Sequence, residues 1–235
     1  LEPKPGAAAS SAAPSSDLPA EVICDGQYPH RLQGIAGNAV DTLYWSFTDV
    51  LVKTDLQGQV LARAEVPTHH GDLCLAGDKL YVAWSNQFNR PGADSKVYIY
   101  DAADLSLERL VLVPEATFGA GGIEAHEGHF FIIGGLPQGY EENYVYEYDG
   151  DLRYLRTHVL PSGYTNLGIQ TVCRHDDYWW FGCYTVEGKK GLLKADGDPK
   201  LVGIYDVSPA IGLIGWGPGR FWMAEHFGEQ WRAKV

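Results

Sequence analysis

Apolar and polar positions along this chain alternate over short runs instead of recurring every three or four residues. "VLARAEV" (60–66) sets an apolar side chain on every second residue, the period of a strand with one face against a core. Other runs, such as "DLCLAG" and "HFFIIGG", are apolar almost throughout and read as strands covered on both faces. Between them stand "DLQGQ", "DAADLS" and "DGDLR", rich in the Asp and Gly that tight hairpins require. The pattern predicts strands joined by short turns, and no helix.

The strands recur as a unit. Five segments share one plan: a glycine, a short apolar strand, a turn, then a second strand opening on an aromatic residue. They read "LQGIAGNAVDTLYWSFT", "HHGDLCLAGDKLYVAWS", "AGGIEAHEGHFFIIGGL", "NLGIQTVCRHDDYWWFGCY" and "AIGLIGWGPGRFWMAEHF". The key glycines, Gly34, Gly71, Gly122, Gly168 and Gly212, lie roughly 37 to 51 residues apart, the period of a four-stranded propeller blade. A third and usually a fourth strand follow each pair, but the fifth unit stops after "EQWRAKV", one strand short. The short run "AEVIC" near the start has no blade of its own and can supply that strand, which closes the ring and removes an open sheet edge. The expectation is an all-β, five-bladed β-propeller over residues 21–235, preceded by an Ala/Pro/Ser-rich leader over 1–20. A β-sandwich gives no reason for a five-fold recurrence.

Composition narrows the class. Aromatic residues make up 12% of the chain, with Gly 28 and Met 1, the balance of a strand-and-turn protein. A formal net charge of −12 without a Lys/Arg cluster argues against a nucleic-acid partner. No apolar run reaches membrane-spanning length. The leader composition points to an exported, secreted or periplasmic protein, and the lack of a sustained apolar stripe points to a monomer. Cys24, Cys74, Cys173 and Cys183 show no C-x-x-C spacing, so buried free thiols are expected.

Topology converts sequence position into location. The start of each innermost strand and the end of the next strand share one face, because the two run antiparallel. The loops at those places gather His30, Arg31, Gln33, Trp45, His69, His70, Asn86, Asn89, Arg90, Tyr140, Glu142, Asn143, Tyr164, Asn166, Gln170, Glu225 and His226 around one mouth of the channel. The opposite face carries tight turns such as "GDK", "HEGH" and "HDD". Long polar loops on one face only are not required by stability and mark a ligand site.

Within this set, His69, His70 and His226 are candidate ligands for one divalent metal ion, since neutral imidazole suits Zn, Mn, Fe or Cu. Adjacent histidines in an extended chain point to opposite sides, so one of His69 and His70, in first place His70, is expected to face the mouth. Glu225 and Glu142 are candidate acids for glycoside hydrolysis, and His70 with Tyr164 for proton transfer in an elimination. The amides, Arg31, Arg90, His30, Trp45 and Tyr140 suit a sugar, with aromatic faces for the ring and polar groups for the hydroxyls.

The stretch "LQGIAGNAVDTLYWSFTDVLVKTDLQGQVLARAEVP" followed by "HHGDLCLAGDKLYVAW" resembles the blade pattern of plant-type glutaminyl cyclases, which are five-bladed propellers. The resemblance covers about two blades. It implies a glutamate where the second blade begins, and Gly71 stands nearest that place here, so the catalytic acid is not carried over. The architecture is also similar to that of exported propellers that process glycans. The sequence thus leads to a carbohydrate-active enzyme acting on a small or oligosaccharide ligand by hydrolysis or elimination. The alternatives are a non-catalytic propeller that binds a glycan or protein at the same mouth, and a cyclase-like acyltransferase.

Overall fold

The structure, a computed structural model, describes residues 19–38, 40–185, 191–227 and 230–234, so the leader lies almost wholly outside the described residues. These residues form strands and turns with no helix, and hence no helix long and apolar enough to cross a membrane. The chain opens with β1 (Glu21–Cys24). Blade 1 follows as β2 (Leu32–Gly37), β3 (Thr42–Phe47), β4 (Val50–Asp55) and β5 (Val60–Glu65). Blade 2 holds β6 (His70–Ala76), β7 (Lys79–Asn86), β8 (Asp94–Asp101) and β9 (Leu107–Leu112). Blade 3 holds β10 (Ala120–His126), β11 (His129–Gly134), β12 (Asn143–Tyr148) and β13 (Tyr154–Leu160). Blade 4 holds β14 (Asn166–His175), β15 (Tyr178–Tyr184), β16 (Leu192–Ala195) and β17 (Leu201–Tyr205). The last sheet has the order β18 (Leu213–Gly215), β19 (Phe221–Phe227), β20 (Gln230–Lys234) and then β1.

The molecule is a five-bladed β-propeller. Every sheet has four antiparallel strands, and the innermost strands touch around the ring in the order β2, β6, β10, β14, β18 and back to β2. Closure follows the expected route: Glu21 pairs with Lys234 and Cys24 with Trp231, so β1 completes the fifth blade. Arg232 binds Glu21 at 2.9 Å and also Glu225, tying the first strand of the chain to the last two.

Between blades, apolar faces interlock. Val22, Ile35, Trp45, Val52 and Trp222 form one cluster across blades 5 and 1, and Phe131, Ile133, Val172, Trp179 and Phe181 form another across blades 3 and 4. Burial of such side chains contributes about 1.5–3 kcal/mol each. All four cysteines are free and buried, as their apolar settings led one to expect.

Candidate functional site at the channel mouth

Four innermost strands break register with their neighbours where they begin. The pairing steps from Leu32↔Phe47 to Gly34↔Ser46, from His70↔Trp84 to Leu73↔Val82, from Ala120↔Gly134 to Gly122↔Ile133, and from Asn166↔Tyr184 to Thr171↔Gly182. Each step leaves surplus residues on the inner strand, a β-bulge, and bulges re-aim the residues they contain. The surplus falls at Gln33, at Gly71 and Asp72, at Gly121, and at Leu167–Gln170. Leu167 and Gly168 take the left-handed conformation (φ 61° and 78°) that the widest of these bulges needs.

The bulges open onto one cavity of about 160 Å³. Gln33, Gly71, Gly121 and Gln170 line it from four blades, with Ala120, His69 and His70 beside them and Thr48, Ser85 and Phe88 from the ends of the second strands. No Lys, Arg, Asp or Glu among the described residues lines it. The space corresponds to about five water molecules and is smaller than the ~300 Å³ at which drug-sized pockets begin, so it has room for a small end group and not for a stretch of polymer. A cavity of about 410 Å³ lies on the opposite face, among the turns at Glu127–Gly128 and Gly150 and the apolar Leu75, Ala76 and Phe130. It has no comparable convergence of blades.

The polar atoms of the mouth are already half committed. Gln33 donates through Nε2 to Thr48 Oγ1 at 3.2 Å, and Thr48 in turn donates to the Arg31 carbonyl. Gln170 donates through Nε2 to the Leu167 carbonyl at 2.8 Å. Each amide nitrogen thus gives one of its two N–H groups to the protein and keeps the other, and both amide oxygens are left as acceptors.

Beneath the cavity floor lies Asp72, 1% exposed. Its Oδ2 accepts the Val172 backbone N–H at 3.0 Å from blade 4, while Oδ1 is buried without a partner. Burial pushes this carboxyl well above the usual carboxylate range, and the Glu124 charge adds to the effect. Glu124 is itself raised to about 7 by burial. The strands approach one another here too closely for side chains. A Cβ on Gly34 would lie 2.0 Å from Asp72 Oδ1, and one on Gly71 would lie 2.4 Å from the Gly121 carbonyl oxygen.

His69 and His70 both line the cavity, where one of them, in first place His70, was expected, but His70 is not free to act there. His70 is the inward, buried member: Nδ1 meets the Pro67 carbonyl and Nε2 the Tyr100 hydroxyl, both at 2.7 Å, and the ring packs on Tyr98. Burial lowers its pKa to about 4, and with both nitrogens engaged it is a neutral packing residue in the cavity wall. His69 is the exposed member, and its left-handed backbone (φ 77°) turns it away from His70. His226 stacks on Trp231 in blade 5, so His69, His70 and His226 do not assemble as a metal triad. Among the described residues no three His, Cys, Asp or Glu side chains are grouped as a metal ion requires.

Most of the other expected residues lie outside the cavity lining. Trp45 is fully buried, donating to Thr54 Oγ1 at 3.0 Å, and cannot stack on a ligand. Asn143 is buried, with Nδ2 bonded to Ser162 and Thr165. Glu225 is bound by Arg232 and, at 2.7 Å, by Lys234, which together hold its carboxyl below the ordinary range, so it serves blade 5 as an ion-pair partner. Glu142 is exposed, 3.4 Å from the Tyr144 hydroxyl, and Tyr164 sits on the neighbouring loop, its N–H donating to Glu141. Neither reaches the cavity lining. His30 pairs with Asp49 at 2.7 Å, Tyr140 stacks edgewise on Phe118, and Arg31, Asn86 and Arg90 are exposed. Asn89, in a left-handed turn, and Asn166, where β14 begins, lie outside the lining as well. Of the expected residues, Gln33, His69, His70 and Gln170 line the cavity. Thr48, Ser85 and Phe88 were missed, although the same antiparallel reasoning placed the ends of β3 and β7 at this mouth.

No family model matches the chain, and no curated protein matches it, so the glutaminyl cyclase resemblance gains no support there. Solved structures similar to it are remote. BamB from Moraxella catarrhalis shares 14% identity, with 77% of this chain and 52% of that one covered and a TM-score of 0.41. The chain thus spans about half the length of that protein. Quinohemoprotein alcohol dehydrogenase from Comamonas testosteroni shares 11% identity over 91% of this chain and 40% of that one, at a TM-score of 0.49. The Dos1 propeller shares 12% over 83% and 53%, at a TM-score of 0.47.

Proposed function

We propose that this protein is a binding propeller whose channel mouth receives the end of a saccharide, without chemical conversion. The observation that carries this reading is the pair of carboxamides, Gln33 and Gln170, each lining the cavity, held by one bond to the protein and keeping one N–H donor and the oxygen acceptor unused. Hydroxyl groups supply the matching donors, Ser85 can give or take a hydrogen bond, and Phe88 offers an apolar wall for a ring face. No carboxylate stands among the described lining residues and both nitrogens of His70 are engaged, which supports binding over hydrolysis or proton transfer. The non-catalytic alternative is therefore preferred to the enzymatic one.

Calorimetric titration with a panel of short oligosaccharides tests the reading, followed by product analysis of any that bind. Gln33→Ala and Gln170→Ala should each weaken binding about 5- to 10-fold, the worth of one neutral hydrogen bond of ~1 kcal/mol. Products appearing at a rate that follows binding would overturn the non-catalytic reading, and binding that ignores both substitutions would move the site elsewhere.

A further inference from the structure

We infer that the end group entering the mouth carries a primary ammonium, as on an unacetylated amino sugar. The inference rests on the saccharide reading and narrows it. An ammonium has three N–H donors and no acceptor. The cavity presents a matching set: the Gln33 and Gln170 amide oxygens, both without partners, and the Ser85 hydroxyl, which makes no hydrogen bond of its own. A hydroxyl end has one donor, so it leaves two of these three acceptors unmatched.

A second observation concerns charge. No Lys or Arg among the described residues lines the cavity, while Asp72 lies one residue below its floor with an oxygen that has no partner. That oxygen rests against Gly34, the residue after Gln33, and its backbone follows directly from Gly71. Burying a carboxyl without a counter-charge is costly, and a cation held just above relieves that cost. The raised pKa of Asp72 is the mark of the uncompensated state. Phe88 closes one wall, and an aromatic face attracts a cation. At the scale of the molecule, the net charge of −12 concentrates cations and repels polyanions.

The test is a titration of the full chain with glucosamine oligomers, their N-acetylated counterparts and neutral gluco-oligomers of equal length, with butylammonium as a non-saccharide arm. Glucosamine oligomers should bind at least about tenfold more tightly than the other saccharides, since charge-assisted bonds are roughly twice as strong as neutral ones. Asp72→Asn should erase that preference and leave the neutral oligomers unchanged. Gln33→Glu, whose second carboxylate oxygen the Thr48 hydroxyl can rotate to meet, should increase it, and it decides the matter if the Asp72 variant fails to fold. Equal affinity for all three saccharides overturns the ammonium and leaves the saccharide reading standing. Binding of butylammonium as tightly as of glucosamine oligomers supports the ammonium and overturns the saccharide. No binding in any arm overturns both.

Discussion

Gly34 shows how little slack the ring has at a single residue. Its φ is ordinary, and what excludes a side chain is the Asp72 carboxyl, 2.0 Å from the place of a Cβ. Gly34→Ala should therefore destabilise the fold by about 1–3 kcal/mol, the usual cost of overpacking, measured by urea denaturation. The recurrence made Gly34 legible in the sequence, whereas its reason, the approach of Asp72 from the next blade, was not. His70 does line the mouth, but its engagement there was not legible, for a related cause. Alternation along a strand says that two neighbours diverge, but only the Tyr100 hydroxyl, thirty residues on, decides which one turns inward. Its folded pKa of about 4 lies below the value of 6.5 for a free imidazole. The unfolded chain thus takes up the proton first, and stability is fully present above pH 6.5 and declines as the pH falls towards 4. His70→Gln should flatten the stability profile across that window, removing a dependence of about 3 kcal/mol.

At the level of the element, blade 3 carries a polar network that no periodicity announces. Glu147 on β12, 4% exposed, accepts from His129 Nδ1 and His158 Nε2 at 2.7 Å and from Arg156 Nε at 2.6 Å. The neighbouring strands β11 and β13 thereby share one buried carboxylate. Burial alone would raise its pKa, but the bonds from Arg156, His158 and His129 outweigh this and bring it down to about 2. The folded value is below the unfolded one, so the contribution holds above about pH 4.5 and is lost as the pH falls towards 2. Glu147→Gln should abolish that acid limb and lower stability near neutral pH, with thermal melts from pH 2 to 7 as the measure. In sequence, "NYVYEYD" reads as an apolar strand with one polar interruption. The ligands of that interruption come from strands on either side, which is why alternation alone could not assign it.

For the whole molecule, closure by β1 is the feature on which the ring depends. Glu21–Cys24 was identifiable because the fifth repeat ran short of one strand and a spare strand stood at the other end. Removing residues 1–24 should expose β20 as an open edge. The expected result is a lowered melting temperature together with concentration-dependent scattering, while deletion of residues 1–18 alone leaves both unchanged. The cavity itself was only half readable. Its location followed from antiparallel topology, but its lining depends on bulges, and one sequence gives no register. Those bulges also have a parity. Three inner strands carry one surplus residue each and β14 carries three, and every one of these numbers is odd. An odd surplus inverts which side of the strand each later residue faces, so the mouth and the packed ring below it are written in opposite phases of the same strand. Residues added in pairs preserve that phase, as β14 with two more than its neighbours illustrates. The mouth can thus be reshaped for a different ligand by two-residue insertions while every wedge between the blades keeps its direction.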